Sequence, residues 1–125
     1  MKQKIIGVYP IGIIQVQLVL REGVGGEYYT FPETGSLSRI KVGADHKQWR
    51  DVVGVLLHEA MEFTAMHLAL RYAPAPDLSM DNGNYLFVMT HTQFSDVCAR
   101  AGEFVSCSLP DLGREWGKWK KQAKE

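Results

Sequence analysis

Along residues 14–20, apolar and polar side chains alternate. Ile14, Val16, Leu18 and Leu20 share one face, while Gln15, Gln17 and Val19 share the other. A period of two marks a strand with one face against a core. The apolar run begins earlier, at Ile5, but Pro10, Gly12, Gln15 and Gln17 interrupt it. It therefore reads as strand, not as a membrane span or the apolar centre of a signal peptide. Gly23-Val24-Gly25-Gly26 supplies a flexible turn, and residues 27–31, with Tyr28, Tyr29 and Thr30, read as the returning strand of a hairpin. Pro32 and Gly35 close that hairpin, and a third short strand over residues 37–42 ends at Gly43.

The pattern then changes period. Asp45, with Gln48 three residues on, resembles a capping box and predicts a helix over about residues 46–72, a stretch free of proline. Residues 52–70 are apolar on nearly every side, so this helix is expected to be central and buried. Ala73-Pro74-Ala75-Pro76 ends it, and turn formers fill the stretch up to Asn84. A second helix is expected over about residues 85–101, with Gly102 as its stop. A loop through Pro110 then leads to a short terminal helix over about residues 111–122. Strands followed by helices give an α+β class: a small antiparallel sheet of three to four strands, over about residues 5–43, packed on the long helix. At 125 residues the chain makes one domain, 1–125.

Charge adds mainly exclusions. Fourteen basic residues balance fourteen acidic ones, so no overall field draws the molecule to nucleic acid or to an anionic membrane. The tail, residues 114–125, departs from this with five basic and two acidic residues around Trp116 and Trp119. The tryptophans, three apart, are expected to pin a terminal helix to the body while the lysines face water. Cys98 and Cys107 form no disulfide framework or C-x-x-C pair, so the expected setting is reducing and cytoplasmic. Cys98 is expected on a buried helix face. No G-x-G-x-x-G or Walker loop occurs, and Gly23 to Gly26 precedes a strand, so it is no phosphate cradle. Nothing in the pattern sets an oligomeric state.

The candidate chemistry sits on the long helix, in His58-Glu59-Ala60-Met61-Glu62. Charged groups in an apolar helix need partners or a metal. His58 and Glu62, four apart, project from one face about a turn apart, with Glu59 one step round. This is the spacing of H-E-x-x-H, whose first and fifth residues bind zinc and whose second acts on the bound water. Here the fifth residue is Glu62.

A strand of the form Arg39-Ile40-Lys41-Val42-Gly43, followed by a long helix carrying Leu56-Leu57-His58-Glu59, resembles the edge strand and active-site helix of the zincin metallopeptidases. The resemblance covers roughly residues 13–102. It implies a metal-dependent hydrolase, a minimal peptidase, with His58 and Glu62 as metal ligands, Glu59 as general base and a peptide laid along residues 39–42. Glu62 departs from the family's histidine, and a second carboxylate would weaken the metal's Lewis acidity.

A third ligand is sought by geometry. His67 lies nine residues beyond His58, on the opposite helix face. His91 is expected to share a face with Phe87, Val88, Phe94 and Cys98, turned toward the first helix, which would bring it to His58 and Glu62. Two histidines and a carboxylate suit zinc, or iron(II) as a facial triad. The same scaffold also suits a non-catalytic protein-binding domain, in which His58 and Glu62 form an ordinary hydrogen-bonded pair.

Overall fold

The computed structural model describes residues 2–30, 37–68, 71–72 and 86–124. Four strands, β1 (Gln3–Ile11), β2 (Ile14–Arg21), β3 (Gly26–Tyr29) and β4 (Ser38–Gly43), form one sheet in the order β1-β2-β4-β3. Helix α1 (Trp49–His67) follows. After the short pair β5 (Arg71–Tyr72) and β6 (Leu86–Phe87) comes helix α2 (His91–Lys124). Both helices lie on one face of the sheet, α1 over β3 and β4, and α2 over β1 and β2. The class is α+β, as the strand-then-helix order implies.

The alternation along β2 is realised: Val16, Leu18 and Leu20 are fully buried against the helices. Ile40 and Val42 of β4 extend that layer, and Val52, Leu56, Ala60 and Phe63 of α1 close it with Phe104 and Leu112 of α2. The pairing differs from the expected antiparallel sheet. The apolar N-terminal run folds on itself at Gly12, whose φ of 59° permits the tight turn, so the hairpin partner of β2 is β1. β3 does not return against β2. It pairs antiparallel with β4, and β4 runs parallel to β2, so the sheet is mixed. Residues 39–42 therefore lie on an internal strand; the edges are β1 and β3.

The helices also differ from their expected bounds. α1 starts at Trp49, and Gln48 at its N-cap makes no side-chain cap bond. Asp45 is engaged elsewhere: its carboxylate accepts from Gly23 N–H, and its own N–H donates to Gly23 O at 2.9 Å. α1 ends at His67, and it is not buried all round, since Gly54, Leu57 and His58 are exposed. The break expected at residues 73–76 and the loop up to Asn84 lie outside the described residues.

Beyond them, the two expected helices are one. α2 runs through Gly102 and Pro110 without a stop. Its buried stripe is Val97, Ala101, Phe104, Ser108, Leu112 and Trp119, a spacing of three, four and seven that holds it to the sheet and α1 along most of its length. Pro110 is exposed, and the bond it cannot make would have gone to the carbonyl of Ser106, also exposed, which water can solvate.

The last turns of α2 are fastened to β1 and to the β4–α1 connection. Tyr9 O–H donates to Asp111 at 2.6 Å, Lys4 pairs with Glu115, and Trp116 Nε1–H donates to Ala44 O at 3.0 Å. Trp119 is buried beneath Lys2, so both tail tryptophans are used in packing. Among the described residues no helix is long and apolar enough to cross a membrane.

Candidate functional site

On α1, His58 Nε2 lies 3.0 Å from Glu62 Oε2, the i, i+4 contact that helical spacing dictates. The His58 side chain is 68% exposed and that of Glu62 only 16%. Glu59, one step round, turns inward to 7% exposure. What buries it is the start of β3. A Cβ built on Gly26 would stand 2.7 Å from Val55 Cγ1 and 2.9 Å from Glu59 Cγ, so only glycine lets the strand approach α1 this closely. Burial is the main cause that raises the Glu59 carboxyl from 4.5 to about 6. His58 works against that rise, and the carboxylates of Glu62 and Glu27 add to it. Glu27 is itself held by Arg21 through two hydrogen bonds of 2.8 and 2.6 Å.

Two concavities meet at His58. One, about 440 Å³, is a cleft lined by Gly25, Gly26, Gly54 and Val55 and by four ionisable residues, Arg50, Asp51, His58 and Glu59. The other, about 350 Å³, is an apolar groove between α1 and the start of α2, lined by His58, Met61, Glu62, Ala65, Phe87, Met89, Phe94 and Val97. Glu59 thus opens on the first cleft while Glu62 borders the apolar groove.

His91 stands at the first residue of α2, exposed, and does not line either concavity. The face expected to carry it inward is not the packed one: Phe94 and Cys98 are exposed as well, and His91 sits about 120° round the helix from buried Val97. The first turns alone suggest that face, whereas the stripe that packs is fixed by all of α2 down to Trp119. Cys98 is therefore not a core thiol, and both cysteines are free. The His67 ring packs against that of Phe63, centroids 4.5 Å apart and tilted by 46°, and burial lowers its pKa.

As ligands for a divalent ion, His58 and Glu62 fit in kind and in spacing. Nitrogen and oxygen donors each about 2.0–2.2 Å from a tetrahedral zinc are roughly 3.3 Å apart, close to the contact seen. Among the described residues, no three His, Cys, Asp or Glu side chains form a group able to hold a metal.

Sequence reasoning missed Asp51, Gly54 and the Gly25–Gly26 wall, and it reached Arg50 only as a possible partner of Glu59. The i, i+4, i+8 spacing of Arg50, Gly54 and His58 was a signal available for part of it. Comparison with protein-family models, with curated proteins and with solved structures gives no match to this chain.

Proposed function

We propose that this chain is a small metal-dependent hydrolase acting on peptide bonds, with Glu59 as its general base. The observation that carries the reading is the placement of Glu59: a carboxylate buried to 7%, with a pKa of about 6, opening on a cleft that it shares with His58. A general base works best with a pKa near the working pH. At neutral pH this carboxylate is mostly ionised, and it is basic enough to take a proton from a water in the cleft and return it to a departing amine.

His58 and Glu62 would hold a divalent ion, zinc or iron(II). Bound there, the ion would supply Lewis acidity toward the water and the substrate carbonyl. His91 joins the set only through a rearrangement of the first turn of α2, driven by metal binding. The exposed, unpaired thiols of Cys98 and Cys107 favour a reducing compartment, the cytoplasm.

Metal content measured by elemental mass spectrometry, beside zinc titration calorimetry, tests this directly. About one ion per chain, lost in His58→Ala, is expected. Glu59→Gln should keep the ion and lose peptide hydrolysis. His58 is exposed enough that its loss should cost under about 0.5 kcal/mol, so unfolding does not confound the comparison. No ion at any stoichiometry would end the metal reading.

The apolar groove favours a second reading, a non-catalytic binding domain. Phe87 and Phe94 remain 46% and 47% exposed at its rim, and Met61 and Met89 give it an adaptable lining. On that reading, Phe94→Ser removes partner binding while metal content stays at zero.

A further inference from the structure

Arg50, Gly54 and His58 are spaced by four on α1 and so form one stripe along the helix. All three line the cleft on which Glu59 opens. Gly54 has no packing reason to be glycine, since a Cβ there would meet nothing within 4 Å. A glycine inside a helix weakens it relative to alanine. Gly102 and Gly117 of α2 are equally unencumbered, so openness alone carries nothing. Gly54 adds its position, a gap in the cleft wall between a guanidinium and an imidazole. The guanidinium is available: Arg50 is exposed and takes part in none of the ion pairs among the described residues. Asp51 also lines the cleft, one step round the helix, on the stripe of Val55 and Glu59.

Eight residues of helix separate Arg50 from His58 by about 12 Å. An extended chain covers that distance in roughly three to four residues. We propose that the Arg50–Gly54–His58 stripe is a substrate subsite. It would seat an extended peptide along α1, with a carboxylate three or four residues from the reacting bond gripped at two points by Arg50. Gly54 keeps the path between them clear. The subsite deepens the hydrolase reading and rests on it for the position of the reacting bond.

The test uses Glu59→Gln, which leaves the stripe whole and removes the base. Fluorescein-labelled peptides of about eight residues, identical except for Asp, Asn or Lys at the position facing Arg50, are titrated and followed by anisotropy. The Asp peptide should bind about tenfold more tightly than the Asn peptide, as expected for a hydrogen bond to a charged group. Adding Arg50→Gln should erase that preference. Gly54→Leu should remove binding of the Asp peptide while keeping or raising the melting temperature, because leucine is the better helix former and its Cβ meets nothing within 4 Å. Equal binding of Asp and Asn peptides overturns the subsite. So does preference for the Lys peptide, which would make Asp51 the recognising group, and so does unimpaired binding to Gly54→Leu. If the Asp peptide binds as expected but wild-type protein never cleaves it, the subsite stands and the hydrolase reading falls.

Discussion

Glu59→Gln makes a stability prediction that is independent of any substrate. In the unfolded chain a glutamate titrates near 4.5, whereas in the fold burial holds Glu59 at about 6. Between those values the folded state keeps a proton that the unfolded state has released. Stability therefore falls as pH rises through this window and stays lower above it. At 1.36 kcal/mol per pH unit, the ceiling of the effect is roughly 2 kcal/mol. The carboxylate opens on a cleft that water can enter, so about 1 kcal/mol is the realistic expectation. Glutamine has the same shape and no proton to lose. The variant should match wild type at about pH 4 and be the more stable by about 1 kcal/mol at about pH 7.5. Urea unfolding followed by tryptophan fluorescence and far-UV circular dichroism, at matched ionic strength, measures this. A difference that does not change with pH, or a variant less stable at neutral pH, would mean that Glu59 is solvated or paired and has ordinary acidity. If the pH-dependent difference is found, the same group should appear in the acid limb of any pH–rate profile, near pH 6.

Three further outcomes follow from the packing. Gly26→Ala should cost about 1–3 kcal/mol, because its Cβ would collide with Val55, Glu59 and the Lys41 carbonyl, and the retreat of β3 should move the Glu59 titration back toward 4.5; thermal melts with and without the substitution read the first effect. Tyr9→Phe should cost about 1 kcal/mol through loss of the bond to Asp111, measured by urea unfolding. Burial and that bond also hold the Tyr9 phenol well above its usual range. The unfolded chain therefore ionises first, and wild-type stability should fall above pH 10 more steeply than that of the variant. Pro110→Ala should raise the melting temperature and slightly raise helicity, since Pro110 is exposed and the substitution restores a helical N–H; a drop in stability would show that the proline sets a bend on which docking of the last turns depends.

The parts of the fold legible in the sequence are those whose signal is local. The buried face of β2 follows from an alternation contained in seven residues, and α1 from one apolar stretch. Pairing is not local. The turn at Gly12 was hidden because Ile13 continues the apolar run, although at the hairpin tip it is 97% exposed. The parallel contact of β2 with β4 leaves no mark in either strand, since both read as apolar on their buried face in any arrangement. Gly102 and Pro110 are ordinary stop signals, and they lose to a stripe of buried side chains that continues past both. Asp45 satisfies a capping rule on paper, but the turn at Gly23 claims its carboxylate. In each case tertiary contact outweighs a local preference of about 1–3 kcal/mol.

The candidate site divides along the same line. Any helix containing His58-Glu59-Ala60-Met61-Glu62 places His58 over Glu62, so the 3.0 Å contact was implicit in the spacing. The acidity of Glu59 was not. On an isolated helix its carboxylate would be solvated and ordinary; it reaches about 6 because β3 crosses against it, and β3 can do so only where Gly26 has no side chain. The residue that tunes the proposed base therefore lies in a turn whose sequence advertises only flexibility. The two glycines make opposite contributions to one cleft: Gly26 closes the wall behind Glu59, and Gly54 leaves the opening in front of it. His91, reached by extending a helical face from one element to another, is the one candidate ligand that lines neither concavity.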